Sequence, residues 1–115
     1  MKVVIKIGGQ ALEEAKGRRD FARQVAEVYR QGHQVVLVHG GGKLLTRTLE
    51  RLDIPSKFSN GLRVTDAATR DVALMVLAGA VNKQMVAALD RVRIPALGLC
   101  GGDAALIPGH GARRR

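Results

Sequence analysis

Gln34-Val35-Val36-Leu37-Val38-His39-Gly40-Gly41-Gly42-Lys43 is the stretch from which the fold class is read. A short apolar run ended by glycines has the pattern of a strand buried on both faces of a parallel sheet. Lys43 to Leu52 then reads as a helix that ends before Asp53-Ile54-Pro55, so the glycines turn a strand into a helix. Three glycines allow backbone conformations closed to other residues and bring amide N–H groups close to a ligand. The following helix adds unpaired N–H donors and a partial positive charge. The turn is therefore a candidate anion site.

Two familiar glycine signatures do not fit it. A Walker A loop needs G-x-x-x-x-G-K-[ST], but Leu37 stands where its first glycine belongs and Leu44 follows Lys43. The dinucleotide fingerprint G-x-G-x-x-G fails at Leu45. His39 reads as a structural imidazole with its hydrogen bonds satisfied.

Toward the amino end, Val3-Val4-Ile5-Lys6-Ile7 repeats the buried-strand pattern and stops at Gly8-Gly9. Ala11 to Arg30 carries Phe21, Val25 and Val28 at helical spacing and stops at Gln31-Gly32. A helix between two buried strands implies parallel pairing in a right-handed βαβ unit. Toward the carboxyl end, Ser56 to Val64 is irregular or a hairpin turning at Asn60-Gly61, and Asp66 caps a long helix. Val72 to Val81 is unbroken small or apolar residues, so that helix should be buried all round. This domain covers one face, and a second subunit is expected on the other. Ile94 to Leu99 reads as a further strand, Gly101-Gly102-Asp103 as a turn and Ala105-Leu106-Ile107 as an edge strand. Residues 1–108 then form the domain and 109–115 a frayed basic tail.

Composition narrows the class. The chain has 115 residues, the size of one domain. With no Trp, one Tyr and two Phe, it offers few platforms for stacking bases. The net charge of +9 includes Arg113-Arg114-Arg115, and without them 16 of the 19 basic residues remain against 10 acidic ones. The others, such as Arg18-Arg19, Arg23, Arg47, Arg51, Arg91 and Arg93, read as solvated faces of helices. Neither a nucleic-acid nor a membrane partner is expected. The amino end does not read as a signal peptide, no apolar stretch is expected to reach membrane length, and a cytoplasmic protein is expected. Cys100, the single cysteine, cannot form an internal disulfide or a metal cluster. It is expected as a small buried hydrophobe, and no metal-ligand set is expected.

Two cations stand out. Lys6 interrupts an apolar strand, where burial is costly unless an anion compensates it, and lies at the carboxyl end where open α/β sheets bind ligands. Electrostatic stabilisation of a transferring phosphoryl group is its chemical reading. A lysine on an edge strand snorkelling to water is the alternative. Arg63, between the Asn60-Gly61 turn and the Asp66 cap, is placed to hold a carboxylate through two hydrogen bonds or to be an ordinary surface arginine, and spacing alone does not choose.

Five segments in one order carry a resemblance. Lys6-Ile7-Gly8-Gly9, Val38-His39-Gly40-Gly41-Gly42-Lys43, Asn60-Gly61-Leu62-Arg63-Val64-Thr65-Asp66, Ala80-Val81-Asn82-Lys83 and Gly98-Leu99-Cys100-Gly101-Gly102-Asp103 together resemble the N-acetylglutamate kinases of the amino acid kinase family. The resemblance runs from residue 2 to about residue 107. It implies a three-layer αβα sandwich with a mainly parallel sheet, of the carbamate kinase-like kind. The implied activity is ATP-dependent phosphorylation of the side-chain carboxylate of N-acetyl-L-glutamate in arginine biosynthesis, with Mg2+ held through the nucleotide.

By the same resemblance Lys6 stabilises the transferring phosphoryl group, Gly41 and Gly42 contact the substrate, Arg63 binds its α-carboxylate, and Gly8 and Gly9 lie beside the nucleotide phosphates. A homodimer through the helix over 66–91 is implied as well. Such kinases are more than twice as long, and their later half carries the nucleotide pocket, a second lysine and an organising aspartate. The expectation is thus the amino-terminal, substrate-binding portion, truncated and inactive by itself. The alternatives are a kinase for carrier-protein-linked aminoadipate or glutamate, and a non-catalytic dimerisation or ligand-binding module.

Overall fold

The computed structural model describes residues 1–108, so the tail over 109–115 lies outside the described residues. Strand β1, Lys2–Ile7, and strand β2, Gln34–His39, pair in parallel with Lys6 opposite Val38 and Ile7 opposite His39. Between them run helices α1, Gln10–Glu13, and α2, Ala15–Arg30. One helix was expected from Ala11 to Arg30. The chain instead breaks at Glu14 and α2 folds back over α1 at Gly17, where a β-carbon would stand 2.8 Å from the Ala11 Cα. Arg18 fastens the corner through Nη1, which donates to the carbonyls of Leu12 and Glu13 at 2.9 and 3.0 Å.

The glycine turn leads into α3, Gly42–Arg51, which ends one residue before the expected Leu52. Next comes the hairpin of β3, Lys57–Ser59, and β4, Leu62–Val64. Its loop residues Asn60 and Gly61 both have positive φ, 51° and 75°, which is what the favoured two-residue hairpin turn demands. One continuous helix follows over Ala67–Arg91. It consists of α4, Ala67–Ala73, a π-helical segment, Leu74–Val81, and α5, Asn82–Arg91. Contrary to expectation this run is long and apolar enough to cross a membrane, but Val72, Val76, Val81, Met85, Ala88 and Leu89 are buried in the core of this fold.

Several expectations are corrected. Neither strand is buried on both faces: Ile5, Ile7, Val35 and Leu37 pack toward the helices, while Val4, Val36, Val38 and Lys6 are exposed. The described residues thus build two of the three implied layers. Ile94 to Leu99 is irregular rather than a strand, and at its end Lys83 Nζ donates to the Gly98 carbonyl and Asn82 Nδ2 to that of Leu99. Ala105 to Ile107 is not a strand either. Asp103–Ala105 forms a 3-10 turn, Ala104 and Ala105 have positive φ, and the Ile107 amide donates to the Gly101 carbonyl. Cys100 is half-buried, not buried, in that loop. This domain leaves part of the long helix uncovered, with Leu74 and Met75 each 61% exposed, which is compatible with the expected one-face coverage.

Asp66 caps the long helix as expected, its Oδ1 accepting from the Thr69 amide at 2.8 Å. That backbone hydrogen bond holds the Asp66 carboxyl below its ordinary value of 3.8. A depressed carboxylate adds stability above its unfolded pKa, and the gain is lost as pH falls through the folded value. Asp66→Ala should therefore lower the melting temperature by a constant amount near neutral pH. The difference from the parent should vanish in thermal melts taken in increasingly acid buffer.

Candidate functional site

The site is built around Gly41. Its φ of +138° lies where L side chains are strained, and a β-carbon there would stand 2.9 Å from both Leu77 Cδ2 and Val81 Cγ2 of the π segment. Gly40 and Gly42 have open space where a β-carbon would go, so the conformational demand falls on one glycine rather than three. No side chain caps α3, whose first turn opens at Gly42 with its amides unclaimed by the helix.

A cleft of about 350 Å³ lies between this turn and the end of β1. Gly9, Gly41, Gly42, Lys43, Arg18 and Arg47 line it, along with Glu13, whose Oε1 is 3.5 Å from Lys43 Nζ. Gly9, at φ +60°, starts α1 through its carbonyl, which accepts from the amides of Leu12 and Glu13. Gly9, Gly41 and Gly42 are thus brought together. Gly8 does not line the cleft. Lys6 lies at the carboxyl end of β1 on the open sheet face, exposed, and makes no hydrogen bond or ion pair among the described residues. Of the two alternatives for Lys6, its exposure matches a lysine open to water rather than a buried one.

Arg63 is not an ordinary surface arginine. It is half-buried, its guanidinium lies 4.7 Å from the Phe58 ring centroid, and it donates from Nη1 to Ser56 Oγ at 2.9 Å and from Nη2 to Thr46 Oγ1 at 2.7 Å. Thr46 Oγ1 donates in turn to the Gly42 carbonyl at 2.9 Å. A three-residue chain therefore ties the hairpin's cation to the glycine turn. The sequence reading missed Thr46 and Ser56, although a hydroxyl one helical turn after Gly42 was a signal for the first.

It also missed Asn82, which is 6% exposed. Lys83 Nζ donates to Asn82 Oδ1 at 3.0 Å, which fixes the amide's orientation, so Nδ2 donates to His39 Nε2 at 3.1 Å. His39 must then carry its proton on Nδ1, which donates to the Gly40 carbonyl at 2.9 Å. The imidazole is the satisfied structural one that was expected, and it clamps the turn. At Gly98 a side chain would collide with Asn82 Oδ1, so that glycine admits the clamp.

A parallel strand, a positive-φ glycine and an uncapped helix N-terminus beside a cleft lined by Arg18, Lys43 and Arg47 mark an α/β module with a candidate anion site. The chain belongs to the amino acid kinase family, whose model matches residues 1–114. It is 58% identical over 103 residues to the acetylglutamate kinase of Koribacter versatilis and also to that of Acidobacterium capsulatum. In each case the match covers 90% of this chain and 40% of the relative's length. Among solved structures it resembles smu.665 of Streptococcus mutans, with a TM-score of 0.69, 36% identity and coverage of 78% of this chain and 36% of that one. It also resembles N-acetylglutamate synthase of Neisseria gonorrhoeae, solved with coenzyme A and N-acetyl-glutamate. There the TM-score is 0.69 and the identity 27%, over 84% of this chain and 22% of that one.

Gly41→Ala combines backbone strain with overpacking against Leu77 and Val81 and should cost about 3 kcal/mol. Gly40→Ala meets nothing and should stay within about 0.5 kcal/mol of the parent. Urea denaturation of the two variants measures the contrast.

Proposed function

We propose that this chain supplies the acidic-substrate half of an ATP-dependent kinase acting on the side-chain carboxylate of N-acetyl-L-glutamate, in the cytoplasm and within arginine biosynthesis. The observation that carries the reading is the Arg63–Thr46–Gly42 chain, which holds a guanidinium in fixed relation to the amides of the glycine turn. Nη1 and Nη2 each keep a second hydrogen beyond those given to Ser56 and Thr46, so the fork can still grip an α-carboxylate. The amides at Gly41 and Gly42 then receive the far end of the acid, whose side-chain carboxylate is already ionised near neutral pH and needs no general base.

ATP supplies the phosphoryl group in this reading. The absence of side chains at Gly8 and Gly9, with open space around both, suits close approach by its phosphates. Lys6 would offset charge between two anions that repel each other, which is the larger part of such a reaction. Magnesium enters this reading as the companion of those phosphates, held through the nucleotide. The chain spans 40% of the length of the two bacterial kinases it matches, and Val4, Val36 and Val38 form an apolar sheet face on which further chain of such a kinase would pack.

Titrating the ¹⁵N-labelled 115-residue chain with N-acetyl-L-glutamate should shift the amides of Gly41, Gly42 and Arg63. Arg63→Gln should weaken binding by about tenfold or more, the loss of a charge-assisted contact, while keeping a folded spectrum. No shift at these amides would refute the substrate. With ATP and Mg2+ added, hydroxamate trapping should find no acyl phosphate, and detecting one would refute the division into halves.

The same reading includes a homodimer through the helix over 66–91. It is supported by the exposed apolar pair Leu74 and Met75. Sedimentation should find a dimer for the parent and a folded monomer for the double variant Leu74→Glu with Met75→Glu, whereas a monomeric parent rejects the interface.

A further inference from the structure

Away from the glycine turn, the later half of α2 and the end of α5 flank a second, shallow and open cleft of about 280 Å³, lined by Arg23, Ala26, Arg30, Arg91, Val92 and Arg93. Four guanidinium-bearing residues and no acidic one line it. In sequence these arginines read as scattered solvated faces, but packing α2 against α5 gathers them, and Arg30 Nη2 donates to the Val92 carbonyl across 62 residues at 2.9 Å. That bond orders one of the four before any ligand arrives.

The charge is poorly compensated. Arg23 reaches Asp20 only at 3.4 Å, and Asp20 is already held by Lys16 at 2.8 Å. The side chains of Arg91 and Arg93 make no hydrogen bond or ion pair among the described residues. The neighbouring acids Glu27 and Asp90 do not line the cleft and pair with none of the four. Arginines do gather at helix C-termini for the dipole alone, but each helix end carries roughly half a negative charge. Two ends offset roughly one of the four guanidinium charges, so a substantial excess remains.

Arg93 supplies an independent observation. It follows the C-cap Val92 with φ +62°, the left-handed position where glycine is usual and a β-carbon is strained. Arg93 is exposed, so no packing of its side chain compensates. What an arginine brings to that position, and glycine would not, is a guanidinium at the cleft.

We propose that this cleft binds a compact oxyanion bearing two or more negative groups, phosphoryl or carboxylate. Guanidinium forks match both groups in pairs of hydrogen bonds. The volume is slightly under the range of about 300–1,000 Å³ common for drug-sized ligands, which suits a ligand the size of pyrophosphate or citrate. The site is separate from the glycine turn and does not depend on what that turn binds.

The test is a site-resolved titration of the 115-residue chain with pyrophosphate, citrate and orthophosphate at low ionic strength. Amides of Val92 and Arg93 and the side-chain Nε–H of Arg30 should move saturably with pyrophosphate or citrate, and much less with orthophosphate. The tighter of the two assigns the oxyanion. Arg93→Gly should weaken that binding by about tenfold while leaving the melting temperature equal or higher, because glycine relieves the left-handed backbone. Arg91→Gln should weaken it comparably in an intact fold. Shifts confined to the glycine turn would overturn the proposal. So would unchanged affinity in Arg93→Gly, or a response at Val92 and Arg93 to a single-stranded oligonucleotide but to neither small anion.

Discussion

The geometry of the glycine turn depends on one close contact, the seating of the π segment on Gly41. Leu77 and Val81 reach so near to the backbone there that no β-carbon fits, and the positive φ that redirects the chain from β2 into α3 occurs at the same residue. The contact therefore sets two things together: where the long helix lies across the turn, and where the open N-terminus of α3 points. Interiors packed to crystal-like density transmit such a constraint rather than absorb it. The buried cluster of Ile7, Leu45, Leu49, Val76, Val81 and Met85 then follows from that seating.

Dispersion alone would hold the turn but not fix its amides. Two polar ties complete the work from opposite sides. His39, oriented by Asn82 and Lys83, secures the Gly40 carbonyl, and Thr46, oriented by Arg63, secures that of Gly42. Each glycine flanking Gly41 thus has its carbonyl bound away, which leaves the amide hydrogens as the polar groups on offer. A turn held this way loses little further entropy on binding, the general advantage of preorganisation.

What could be read from residues alone follows the range of the forces involved. The Asn60-Gly61 turn, the Asp66 cap and the strand–glycine–helix passage are written in a few adjacent residues whose own dihedral preferences decide the outcome. Features set by remote partners were not legible. The break at Glu14 needs Gly17 to meet Ala11, the π register needs Gly41 beneath it, and Ile94 to Leu99 has a strand's composition but gives its carbonyls to Lys83 and Asn82. Lys6 shows the same limit in the site. Its position at a strand's carboxyl end was readable, but its exposure depends on what packs on a sheet face that no local pattern describes.

That exposure bears on the difference between binding and transfer. A lysine about 4 Å from an anion is worth about 1 kcal/mol in bulk water and about 4 kcal/mol at the intermediate dielectric near a covered protein surface. Arg63, half-buried and stacked over Phe58, already works in the second regime and is suited to holding a ligand. Lys6, beside the exposed Val4, Val36 and Val38, works in the first. Covering that apolar face would raise the worth of Lys6 severalfold without moving it, so under the proposed reading the same two cations serve retention of an acid in the bare module and charge neutralisation only in an enclosed one.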